Sequence, residues 1–139
     1  MKNLRWQRGF SLTELLIVVA VLLVLMGALM GVGTHLKRQG QENLCRGTLE
    51  ILVAAIEQYY EFHQQFPAQS ANLYRELYSL PQSRAICEKI QKSLTANAEF
   101  LDPWGRPLRY TYAVGQTFPL ITSAGPDRVL GTGDDISSR

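Results

Sequence analysis

From Leu15 to Gly33 the chain carries no charged side chain, and a single carboxylate, Glu14, stands at the mouth of that run. About 19 residues rising ~1.5 Å each make a helix of roughly 28 Å, close to the ~30 Å hydrocarbon core of a bilayer. An ionised group at the edge of such a run is costly unless it is paired. Lys2, Arg5 and Arg8 precede the run. Positive charge prefers the cytoplasmic side, although Lys37 and Arg38 at the far end make the asymmetry modest. Two plain readings compete with a functional one. A cleaved secretory signal needs small residues after the apolar run, and Gly31-Val32-Gly33 supplies them, but the run is longer than an ordinary signal core. A simple single-span anchor leaves Glu14 without a task.

The block Gly9-Phe10-Ser11-Leu12-Thr13-Glu14, running into Leu15-Leu16-Ile17-Val18-Val19-Ala20, resembles the N-terminus of type IV pilins and of type II secretion pseudopilins. The resemblance implies that a prepilin peptidase cuts after Gly9 and methylates the new amine on Phe10. It implies that Glu14 pairs with the N-terminal amine of a neighbouring subunit, which makes Phe10 and Glu14 the assembly residues. Further partners follow by the same resemblance: other copies, other pseudopilins and an inner-membrane assembly platform. The implied location is a single pass through the bacterial inner membrane. The N-terminus would be cytoplasmic and the C-terminal domain periplasmic, before passage into a periplasmic filament.

The 139 residues leave room for one small domain beside the helix. Residues 1–9 read as the cytoplasmic leader. Their loss removes three of fourteen positive charges and leaves eleven against twelve acidic residues, so a net charge of +2 becomes −1. No basic excess argues for a nucleic-acid partner.

The helix is predicted to continue beyond Gly33, because no proline interrupts Thr34 to Gln65. Apolar positions recur at helical spacing: Leu44, Thr48, Ile51 or Leu52, Ala55, Ile56, Tyr59, Phe62 and Phe66. One helix from about Phe10 to Gln65 would run roughly 84 Å. Residues 10–34 form its apolar half and residues 35–67 its amphipathic half. Phe66-Pro67 ends it, since proline lacks the amide donor. In residues 68–139, Ser70 or Asn72 would cap a helix over 70–80. Ser83 would cap another over 84–94. Asp102-Pro103-Trp104-Gly105 reads as a tight turn. Strands follow over about 107–113 and 118–122, with a turn at Gly115-Gln116. The expected class is α+β: a long N-terminal helix packed on a small antiparallel sheet, as in the pilin-like fold.

An even cysteine count in an exported domain permits a Cys45–Cys87 disulfide, and this is the expectation. It would close ~43 residues, worth about 4 kcal/mol in the chain-entropy account. Two separate buried thiols are the alternative. Zinc is not served, because His35 and His63 stand at unhelpful spacings.

The segment 122–136 places three carboxylates within nine residues, Asp127 to Asp135, among glycines. Calcium takes six to eight oxygens from carboxylates, carbonyls and hydroxyls. The EF-hand pattern is absent. The stretches Ser123-Ala124-Gly125-Pro126-Asp127 and Gly131-Thr132-Gly133-Asp134-Asp135-Ile136 resemble the calcium loop that ends major pseudopilins. That resemblance gives Asp127 and Asp135 the two carboxylate roles, with Asp134 beside them. Ser123, Ala124 and Leu130 become candidates for carbonyl or hydroxyl oxygens. An ordinary Gly/Asp turn with solvated acids is the competing reading.

No nucleophile with its base, phosphate-cradling loop or dinucleotide fingerprint occurs, so no enzyme is expected. The leading expectation is a pseudopilin that drives protein export. Alternatives are a major or minor type IV pilin and a monomeric, membrane-anchored periplasmic binding module. The resemblance covers 3–34, 50–67 and 102–136, and is absent over 68–101.

Overall fold

The structure, a computed structural model, describes residues 11–68, 72–113 and 115–139, with the side chains of 29–35 outside that description. Gly9 and Phe10 therefore lie outside the described residues. The chain is a mixed helix-and-sheet fold, a long N-terminal helix plus a small antiparallel sheet. It divides into two units after Lys37.

Helix α1 spans Leu12–His63, 52 residues. The Ser11 carbonyl opens it by accepting the Glu14 amide at 3.0 Å and the Leu15 amide at 3.2 Å. The helix closes before Phe66-Pro67. Gln64 turns left-handed at φ 55, and its amide reaches back to the Tyr60 carbonyl at 2.7 Å. A left-handed residue just past a helix satisfies carbonyls that would otherwise be orphaned.

In the first unit, the large apolar side chains from Leu12 to Met26 stand 47–80% exposed. Among the described residues no helix is long and apolar enough to cross a membrane. The expected span, Leu15 to Gly33, runs into residues whose side chains fall outside the description.

In the second unit, α1 buries Cys45, Leu49, Leu52, Ile56 and Tyr59, one stripe at spacings of three and four. Against it pack Leu77, Cys87, Ile90, Leu94, Phe100, Ile121 and Ile136. Phe62, expected on this stripe, is instead 64% exposed.

Helix α2 is Leu73–Ser79, shorter than the expected 70–80. Asn72 caps it, its side-chain oxygen accepting the Arg75 amide at 3.1 Å. Helix α3 corrects the expected 84–94 element, since it runs Pro81–Cys87. Pro81 fits the first helical turn, where its missing donor costs nothing. Ser83, the expected cap, is wholly buried inside the helix. After Cys87 the bonds tighten to i→i+3, and a 3₁₀ turn at Lys92–Leu94 follows.

Strands β1 (Thr95–Ala96) and β2 (Glu99–Phe100) form a hairpin that the sequence reading missed. Asn97 and Ala98 turn it at φ 52 and 58, the left-handed pair that matches strand twist. The main sheet has order β3-β4-β5: Arg109–Thr111, Leu120–Ser123 and Ile136–Ser137, all antiparallel. Tyr110 stands opposite Ile121, and Ser123 opposite Ile136. The Tyr110 hydroxyl donates to the Pro67 carbonyl at 2.7 Å, tying the sheet to the segment after α1.

Candidate functional site

Two segments converge where β4 leaves the sheet: the turn opened by Asp102 and the acidic segment after Ser123. Asp102 is 1% exposed. Its Oδ1 accepts the Trp104 amide at 3.0 Å and the Arg106 amide at 2.8 Å, and its Oδ2 accepts the Ser123 hydroxyl at 2.7 Å. The Ser123 oxygen in turn accepts the Gly125 amide at 3.1 Å. A buried carboxylate is tolerated when its lone pairs are filled in this way. Sequence reasoning recognised the turn but missed this hub. The available signal was an aspartate directly before proline, whose side chain can bond amides a few residues on.

The acidic segment folds back on itself. Gly125 lies at φ 66, and a Cβ placed there would come within 2.2 Å of the Asp134 carbonyl oxygen. Only glycine allows so close an approach at this backbone angle. Asp134 Oδ2 accepts the Asp127 amide at 3.0 Å, and its Oδ1 accepts the Thr132 hydroxyl at 2.6 Å. These donors hold the Asp134 carboxyl below its usual range, the Thr132 hydroxyl being the larger cause. Asp127 Oδ1 takes the Val129 amide at 2.8 Å, and Asp135 Oδ2 takes the Gly131 amide at 2.8 Å. Asp135 Oδ1 is buried without a hydrogen-bond partner among the described residues.

The expected ligand residues thus separate into groups. Asp127 and Asp134 are joined directly. Asp135 clasps Gly131 and keeps one sheltered oxygen free. The Ser123 hydroxyl is engaged by Asp102, and Ala124 is buried beside it. Leu130 is exposed on the loop. No group of three or more His, Cys, Asp or Glu side chains forms a metal-ligating cluster among the described residues. The donors that do gather are all oxygens, and an unpartnered buried carboxylate oxygen suits an oxygen-seeking cation.

Glu14 lies in the first turn of α1 and is exposed. The expected disulfide is not formed: Cys45 and Cys87 are both free and both buried. Cys45 lies against Ser123 and within the field of Asp102, whereas burial alone sets the environment of Cys87. Core packing, rather than a covalent staple, holds α3 to α1.

Comparison with known proteins sets this geometry in a family. Residues 7–30 match the prokaryotic N-terminal methylation motif, and residues 34–139 match type II secretion system (T2SS), protein G. No curated protein and no solved structure matches. The second match takes in the Asp102 turn, the sheet and the acidic loop. It also covers 68–101, where the sequence reading found no resemblance. Spanning well over half of the chain, it shows that the protein belongs to the type II secretion system protein G family of pseudopilins.

Proposed function

We propose that the chain is a structural, non-catalytic subunit of a periplasmic filament that drives protein export. A prepilin peptidase would remove the leader after Gly9 and methylate Phe10. The subunit would wait in the inner membrane, then join other copies and other pseudopilins on an assembly platform. The observation that carries this reading is the pairing of a methylation motif at 7–30 with the secretion family over 34–139.

The exposed apolar residues from Leu12 to Met26 support it. A continuous apolar surface of this kind needs lipid or neighbouring helices to cover it. Glu14 at the edge of that surface would neutralise the terminal amine of the next subunit, and salt would weaken a pair so enclosed very little. The test is Glu14→Ala. The variant should insert and be cleaved normally, yet give few filaments and little export. Normal filament yield from it would refute the assembly role.

The C-terminal loop would hold one calcium. Asp127 and Asp135 would supply carboxylate oxygens, and carbonyls from Ser123, Ala124 and Leu130 would complete the set. Asp134 would brace the loop through its hydrogen bonds to Thr132 and Asp127. The supporting observation is the sheltered Asp135 Oδ1, which has no other partner. Calcium would neutralise the clustered charge and lock the loop to the sheet.

A further inference from the structure

A groove of about 600 Å³ runs between the end of α1 and the connection from β3 to β4. That volume lies within the usual range for ligand sites. In a chain with 14 basic and 12 acidic residues, no Asp, Glu, Lys or Arg lines it among the described residues. Tyr60 stacks on Phe66 with centroids 4.5 Å apart, and Phe66 meets Tyr112 edge-on at 5.2 Å. These rings hold one another in place, so the aromatic wall exists before any ligand arrives. Tyr60 remains 40% exposed.

The polar lining is neutral and partly unengaged. Gln116 uses its side-chain oxygen on the Ala113 amide at 3.3 Å, which leaves its amino group available. Gln64 gives its amino group to the Glu61 carbonyl at 2.9 Å, which leaves its oxygen available. The Gln65 amide and the Thr117 hydroxyl have no hydrogen-bond partner among the described residues.

Charge and polarity decide which ligand fits. A phosphate, a nucleic acid or a charged peptide would lose hydration here and find no counter-ion. A purely aliphatic ligand would leave several amides dry. A sugar ring meets both demands, with an apolar C–H face for the aromatic rings and hydroxyls around its edge. An acetamido group adds one donor, one acceptor and a methyl, which matches a lining rich in glutamine. We propose that this groove binds a neutral glycan chain built of N-acetylhexosamine units. The proposal goes beyond filament assembly and does not depend on it, so either can fail alone.

The experiment uses the full chain in detergent micelles and two neutral probes, chitotetraose and cellotetraose, which differ in the acetamido group. Calorimetry should give saturable binding of chitotetraose, with cellotetraose about tenfold weaker. Tyr60→Ala should weaken chitotetraose at least about tenfold, and Gln116→Ala should narrow the gap between the sugars. Phe62→Ala, on the same helix but outside the groove, should change neither. Absence of saturable binding would overturn the proposal, as would binding indifferent to both Tyr60→Ala and Gln116→Ala. If the sugars have no effect while Tyr60→Ala alters self-association, the groove is a contact between copies and the proposal also fails.

Discussion

The Ser123 hydroxyl bridges two parts of the fold, donating to Asp102 Oδ2 at 2.7 Å and accepting the Gly125 amide at 3.1 Å. Through that one oxygen the Asp102 turn fixes the point where β4 becomes the acidic loop. The loop's second end is held separately, by pairing of β4 with β5. The candidate site is therefore suspended between a buried polar link and a short ladder.

Ser123→Ala leaves Asp102 Oδ2 and the Gly125 amide without partners in a dry setting. Leaving such groups unmet costs about 1–3 kcal/mol, more when one is charged. Thermal melting should show a clear fall, larger than for Ser137→Ala, whose hydroxyl meets only the exposed Arg139 carbonyl. Equal melts for the two variants would mean that the Asp102 link contributes nothing.

Gly125→Ala and Gly131→Ala separate close approach from backbone strain. Both glycines have positive φ, 66 and 93. Nothing lies within 4 Å of a Cβ at Gly131, whereas a Cβ at Gly125 meets the Asp134 carbonyl oxygen at 2.2 Å. Gly131→Ala should cost about 1 kcal/mol, while Gly125→Ala should cost several-fold more, since backbone must move. Chemical denaturation of both variants measures the difference. Similar costs would show that Asp134 relaxes away from residue 125 easily.

Much of the architecture could be read from period and punctuation. The buried stripe of α1 follows its three-and-four spacing, and Asn72 caps α2. What escaped the sequence was set by tertiary context. Ser83 read as a cap, yet Pro81 begins α3, because proline suits the first turn of a helix. Ala98 at φ 58 hid the β1–β2 turn, since alanine does not advertise a left-handed backbone. Strand β5 is two residues long and exists only because β4 is there to pair with it. At the candidate site the carboxylates were legible from composition. Their division of labour was not, because Asp134 and Asp135 are neighbours in sequence and differ only in what they touch.

The two cysteines should behave as inert core residues. Burial pushes the Cys87 thiol from its ordinary 9.0 up to about 12, and it raises Cys45 as well. Thiolate, not thiol, is the reactive form, so neither should label at neutral pH until the protein unfolds. Two thiols should then appear in denaturant without reductant. Tyr59 is likewise pushed up to about 12, by burial and then by Glu76. Folded pKa values raised in this way keep their groups protonated while the unfolded chain ionises. Their stabilisation is complete below about 9 and is lost as pH rises through about 12. Melting points flat across that alkaline window would contradict the burial of these groups.

Calcium should act through Asp135 rather than Asp134. The unpartnered Asp135 Oδ1 gives a cation a sheltered oxygen, while both Asp134 oxygens already accept hydrogen bonds. A ligand that binds only the folded state raises its stability with concentration. Melting of the full chain in micelles should therefore rise with calcium and fall with chelator. Asp135→Asn should abolish that dependence. Asp134→Asn should lower the melt with and without calcium but preserve most of the shift. Acid separates the two further. Because the Asp134 carboxyl is held below 3.8, its contribution is present above that value and fades as pH falls through the lower folded value. A calcium-dependent shift that survives Asp135→Asn yet disappears in Asp134→Asn would reverse the assignment. No shift in the parent chain would leave the loop as a turn closed by its own hydrogen bonds.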